Sequence, residues 1–341
     1  MAKYRKTVII LSAAALLTAA IAAGGFYVVR KTEKRAPMRP AICDRTGKAL
    51  LYDVRKSLFA TPFRHAECGG KFAAALLGHT IRKGKKRIGA GGVEYLIDHR
   101  AMTAKRLSLT LDAGIQERCE KLLDDIAATA APEYAHVTVL ASDGALIAAA
   151  QRPVIDLNDR SKVPRRGMVF MASAYVFPVS DAWMRLLGSR SDAPPEEKIR
   201  FGFHQKLGWF PDEGRGVIPG ANRRWSVNNR AQSATALNFL LAYVGAAENK
   251  VIPKLKIFLS DTTSRSALKI SGETRWHSLL WSKDRSTLSA LGTVPADDTA
   301  LYILLRAAFR KTEGDGATAD GGARLEKLIR RFPAAEREST P

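Results

Sequence analysis

The order of apolar and polar positions divides this 341-residue chain into distinct blocks. From Thr7 to Val29 it reads TVIILSAAALLTAAIAAGGFYVV, without a charge. As a helix rising about 1.5 Å per residue, that run covers roughly 34 Å, enough to cross a bilayer. Lys3, Arg5 and Lys6 precede it, and Arg30 and Lys31 follow. We read it as a single uncleaved anchor. Ala20-Ile21-Ala22 resembles a cleavage site and marks the rival reading, a removable signal. The charged, proline-bearing RKTEKRAPMRP that follows reads as a linker.

From Leu107 the periodicities sharpen. LSLTL alternates as a strand does, and Ile115, Cys119, Leu122, Leu123 and Ile126 then fall on one helical face, with Asp112 as the expected N-cap. AHVTVLASDGALIAAA is two apolar runs around Ser142-Asp143-Gly144, a hairpin pattern. FMASAYVFPVSDAW opens an expected helix from Phe170 to Leu187, and 188–198 reads as a loop. Further on we expect a helix over Thr235–Ala247 and a strand through Ile252–Leu255. LSALGTVPADDTALYILL should form two strands around a turn, and Ala323–Phe332 a closing amphipathic helix. Helices bracketing hairpin-connected strands predict an α+β fold with a mainly antiparallel sheet.

Composition narrows the picture. Apolar residues make up 46%, enough for a sizeable core, and the formal net charge of +21 favours anionic partners. The basic run IRKGKKR (Ile81–Arg87) reads first as a solvated loop and second as a polymer-binding strip. No nucleic-acid reader motif accompanies the charge, so nucleic acid is not an expected partner. Three scattered cysteines leave a Cys43–Cys68 disulfide open, with Cys119 odd. His65-Ala66-Glu67 lacks the cysteine half of a zinc-deaminase signature, and Gly89-Ala90-Gly91-Gly92 lacks the ending of a phosphate loop. No cofactor and no metal ligand is assigned.

Several segments, in this order, resemble one family. RPAICDRTGKALL (Arg39–Leu51), GAGGVEYLIDH (Gly89–His99), LTLDAGIQERCEKLL (Leu109–Leu123) and GALIAAAQRPVIDLN, with Gly144, Pro153, Asp156 and Asn158, carry most of the likeness. FGFHQKLGW, VIPG, TALNFLLAYVGAAENKVIPKL and GTVPADD extend it to about residue 310. The chain resembles the class B penicillin-binding proteins, membrane-anchored D,D-transpeptidases that crosslink peptidoglycan. The resemblance implies a transpeptidase-like α+β domain, reduced in size, over 107–332. Before it would come a tail (1–6), an anchor (7–29) and a linker with a truncated pedestal-like segment (30–106); a tail (333–341) would follow. The bulk would lie outside the bacterial cytoplasmic membrane.

That family performs acyl transfer with three motifs: S-x-x-K on a helix, S-x-N in a loop and K-T-G on a strand beside the cleft. In the family register Ala174 takes the serine's place and Phe177 the lysine's. No lysine occurs between Val163 and Glu197, so neither Ser173 nor Ser180 has an amine one turn away. Fewer than thirty residues separate Ala174 from Phe201, where the family has several helices. Ser226-Val227-Asn228 spells S-x-N downstream of the expected place, and Lys311-Thr312-Glu313-Gly314 is a near-miss for K-T-G beyond its strand. Ser266-Ala267-Leu268-Lys269 is a true S-x-x-K far from the expected helix. The expectation is a cell-wall synthesis or division protein without catalytic residues, acting by binding a division or elongation partner or peptidoglycan. The alternative is an active transpeptidase with drifted motifs, using Ser266 and Lys269.

Overall fold

The computed structural model describes residues 38–56, 62–84, 86–154, 156–159, 177–179, 181–188, 201, 206–210, 213, 233–248, 251–260, 266–282, 286–297, 299–309 and 316–332. The expected anchor, Ser173, Ala174, Ser180, Ser226, Asn228 and residues 311–314 lie outside these. Among the described residues no helix is long and apolar enough to cross a membrane.

The chain forms two compact units, residues 1–39 with 53–63 and residues 40–52 with 64–341. In the first, the Arg39 backbone N–H donates to Asp53 Oδ2 at 2.9 Å, and the Lys56 ammonium lies 6.0 Å from the Phe63 ring centre.

A four-stranded sheet is formed by β1 (Ala41–Cys43), β2 (Ala49–Val54), β3 (Phe63–Ala66) and β6 (Arg106–Ser108), ordered β3-β2-β1-β6. Asp44 sets the β1–β2 turn: its Oδ1 accepts from the Thr46 and Lys48 backbone N–H groups and from the Thr46 hydroxyl, at 2.8–2.9 Å. Gly47 follows with φ +90°, a region glycine enters without strain. A short helix α1 (Ala74–Leu77), a hairpin of β4 (Thr80–Lys83) and β5 (Lys86–Gly89), and helix α2 (Gly92–His99) complete this part.

The glycine cluster here serves packing. A Cβ on Gly92, whose φ is +55°, would lie 2.3 Å from the Leu76 carbonyl oxygen. Glu94, fully buried on α2, meets Arg64 with Nε at 2.5 Å from Oε1.

The larger sheet is antiparallel throughout: β11 (Arg275–Trp281), β12 (Thr287–Ala296), β13 (Thr299–Ala308), β7 (Tyr134–Ala141) and β8 (Leu146–Arg152), in that order. Helix α3 (Ala113–Ala130) starts at the expected cap, where Asp112 Oδ1 accepts from Ile115 N at 3.1 Å. It fastens to the sheet through Gln116, which exchanges bonds with Ala149: N–H to Oε1 at 2.8 Å and Nε2 to carbonyl at 3.3 Å. α3 and the closing helix α6 (Gly316–Arg330) bury one core with Val137, Val139, Ile303 and Leu305. The opposite core holds Leu140, Leu304 and Tyr302 with helix α5 (Ala236–Ala247), whose N-cap is Thr235. Period-2 alternation makes both sheet faces apolar.

Two expected elements differ. Of the helix expected from Phe170 to Leu187, residues 170–176 lie outside the described residues, Phe177–Pro178 form a strand, β9, paired with β10 (Ser233–Ala234), and helix α4 spans Asp181–Leu186. Proline disfavours helical backbone at the residue before it and lacks the N–H a helix interior needs. Residues 252–255 form no strand, and their neighbours make isolated bridges only, Ala145–Lys256 and Leu109–Phe258. Cys43, Cys68 and Cys119 are all free thiols, so the disulfide left open by the sequence is not formed.

Candidate functional site

The α5-facing side of the large sheet carries the residues of interest. In sequence, Ser180 immediately precedes α4 and Trp183 stands three positions later, on its first turn. Counted from Ser180 the position three residues on is Trp183; counted from Ala174 it is Phe177, which lies in β9. Trp183 is 3% exposed. Its indole stacks on Phe239 of α5 (4.6 Å between centres, 26°), and Phe177 meets it edge-on at 5.7 Å and 89°. Each such aromatic pair adds about 0.5–1.5 kcal/mol beyond its area burial.

The indole N–H is also committed. Trp183 Nε1 donates to Ser278 Oγ on edge strand β11 at 2.8 Å. A β-bulge makes this contact accessible. Pairing passes from Trp276–Gly292 directly to Ser278–Leu291, leaving His277 as the extra residue. His277 and Ser278 can then both meet the helices: His277 lies 6.0 Å from the Tyr243 ring of α5, and its Nε2 pairs with Thr293 Oγ1 at 2.8 Å. Burial, with Arg275 beside it, pushes the His277 pKa down.

The aromatic band continues through Tyr243 and Tyr302, 5.8 Å apart, to Glu248, which accepts from the Tyr302 hydroxyl. Burial and that carboxylate push the Tyr302 phenol up. At the head of β11 stands Gly272-Glu273-Thr274-Arg275, where sequence reasoning saw no counterpart to a lysine-threonine-glycine strand. Of that run only the threonine, Thr274, has its match here, with the exposed Glu273 before it and Arg275 after it where the motif has lysine and glycine.

Ser266 and Lys269 lie apart from this band. Both are exposed, on a segment without helical structure, so their spacing of three does not stack them on one turn. The Leu268 backbone N–H donates to Asp112 and that of Lys269 to Asp297, fixing the segment to α3's cap and the β12–β13 turn. Among the described residues no cluster of His, Cys, Asp or Glu is arranged to hold a metal ion.

No family model and no curated protein matches the sequence. Solved structures do. Penicillin-binding protein 3 of Mycobacterium tuberculosis in its apo form matches with a TM-score of 0.58 and 14% identity, covering 86% of this chain and 97% of that one. The same protein complexed with ampicillin covers 90% and 98% at a TM-score of 0.57 and 14% identity. Its aztreonam complex gives 0.56 and 13% identity, over 86% and 97%. The chain therefore has a penicillin-binding-protein-like fold, as the sequence resemblance implied.

Proposed function

We propose that this chain is a membrane-anchored, penicillin-binding-protein-like protein of cell-wall synthesis or division that performs no serine acyl transfer and works by binding. Its anchor is Thr7–Val29, with the bulk outside the cytoplasmic membrane. The reading rests above all on Trp183. Serine acylation needs a basic group one turn from the hydroxyl, and an indole N–H is a donor without a basic lone pair. This one is further held by Ser278 and sealed between Phe239 and Phe177. Glu273 adds a second argument, because a carboxylate at the head of β11 repels the substrate carboxylate that a lysine there would attract.

A binding role is supported by the β4–β5 hairpin. Its register sets Arg82 opposite Arg87 and Lys83 opposite Lys86. Directly opposed like charges destabilise a hairpin, so such an arm suits an anionic wall polymer or an acidic partner surface. The test is exposure of the full-length protein in membranes to a fluorescent penicillin, with binding to purified peptidoglycan measured in parallel. We expect no covalent label and a salt-sensitive association. Labelling that Ser180→Ala abolishes overturns the proposal.

A further inference from the structure

Beneath Phe177 the large sheet carries a polar row that this function does not use. Ser289 of β12, Arg306 of β13, His136 of β7 and Gln151 of β8 lie directly opposite one another in register, all on the α5-facing side. Arg306 is 5% exposed and His136 1%. The guanidinium lies 3.9 Å from the Phe177 ring centre, and its Nε donates to Ser289 Oγ at 3.1 Å. Its remaining polar neighbour is the Tyr134 hydroxyl. No carboxylate among the described residues pairs with it.

A buried cation without a counter-charge is costly, by several kcal/mol even after relaxation. Two further polar atoms on the same face are also buried without a partner. They are His136 Nδ1 and Thr138 Oγ1, beside Arg306 Nη1 in the same condition. His136 and Thr138 are two residues apart on one strand, so their side chains emerge about 7 Å apart on one face, a gap that a single ion can bridge. All three groups can donate: a guanidinium N–H, a neutral imidazole N–H and a hydroxyl. Burial and the adjacent Arg306 keep His136 neutral, its pKa pushed down to about 3.

We infer that Arg306, His136 and Thr138 form an internal binding site for a small monovalent anion of halide size, directly under the aromatic cluster. The donor-only, charged guanidinium selects against cations, the imidazole and hydroxyl can each turn an N–H or O–H to the ion, and burial of all three excludes a bulky ligand. The ion supplies Arg306 with its counter-charge and couples the sheet to the position of Phe177.

The experiment replaces chloride with gluconate at constant ionic strength, using the full-length protein in detergent, and follows thermal unfolding. Tm should rise saturably with chloride, by about 3 °C once chloride exceeds its dissociation constant tenfold. Crystals grown in bromide should give an anomalous peak within hydrogen-bond reach of the three donors. Thr138→Val keeps the side chain's shape, and should weaken the chloride midpoint five- to tenfold. Identical Tm values in the two salts overturn the assignment. So does density at the site without anomalous signal, which would be water, or a chloride midpoint unchanged by Thr138→Val.

Discussion

The indole of Trp183 and the hydroxyl of Ser278 join the first turn of α4 to the middle of the edge strand β11, at 2.8 Å. This bond ties the helix to the strand at the edge of the apolar cluster in which Trp183 is buried. Trp183→Phe keeps a ring for Phe239 to stack on and removes only the donor, so it should cost about 1 kcal/mol. Trp183→Ala empties the cluster and should cost about 3–5 kcal/mol. Urea unfolding of the two variants separates the bond from the packing.

Putting an amine back should not recreate an acylating centre. In Trp183→Lys the ammonium would replace a side chain that is 3% exposed and walled by Phe177 and Phe239. Burial there disfavours the charged form. We expect the variant to be destabilised by 3 kcal/mol or more, about the loss for a large core residue, and to remain unlabelled by fluorescent penicillin. A labelled variant would overturn the expectation that an amine at this position is too buried to activate a serine.

Much of this architecture was legible in the sequence, and for physical reasons. Asp112 was read as a cap because a short acceptor side chain precedes a 3.6-period apolar face, and it caps. Ser142-Asp143-Gly144 was read as a turn between alternating runs, and β7 and β8 pair across it. The helix register before Trp183 was not legible, because FMASAYVF is apolar on every side and carries no period. Only the Phe177–Pro178 pair held information on where the helix could begin. The bulge at His277 left no trace in RWHSLLW, since one extra residue in an edge strand alters no composition. Arg306 was overlooked for a related reason: within ALYILLRAAF it resembles the end of an apolar strand, and only pairing places it opposite His136.

The Arg64–Glu94 pair gives a separate test, in the segment preceding the large sheet. Their side chains are 4% and 0% exposed, and Arg64 also donates to the Pro40 carbonyl at 2.8 Å. Glu94→Gln keeps the shape of the acid and strips its charge, leaving the guanidinium buried without its main counter-ion. Breaking one side of a buried pair costs about 3–5 kcal/mol. Thermal unfolding of Glu94→Gln should show that loss, and Arg64→Met combined with it should recover part, because the stranded charge is then gone.

A milder, pH-dependent contribution comes from α3. Arg152, at the end of β8, reaches across to Glu120 at 2.5 Å and to Asp124 at 2.7 Å. The hydrogen bond from Arg152 holds the Asp124 carboxyl below its ordinary pKa. A carboxylate depressed in the folded state binds its proton more weakly there than in the unfolded chain. Its stabilisation is thus complete above the unfolded value, near 4, and disappears as pH falls through the folded one. Asp124 is 65% exposed, so solvent screens the pair and the effect should be a few tenths of a kcal/mol. Asp124→Asn should lower stability by that amount at pH 7 and by nothing at pH 2, measured by urea unfolding across the range. A deficit persisting at pH 2 would mean that Asp124 acts through packing and not through its charge.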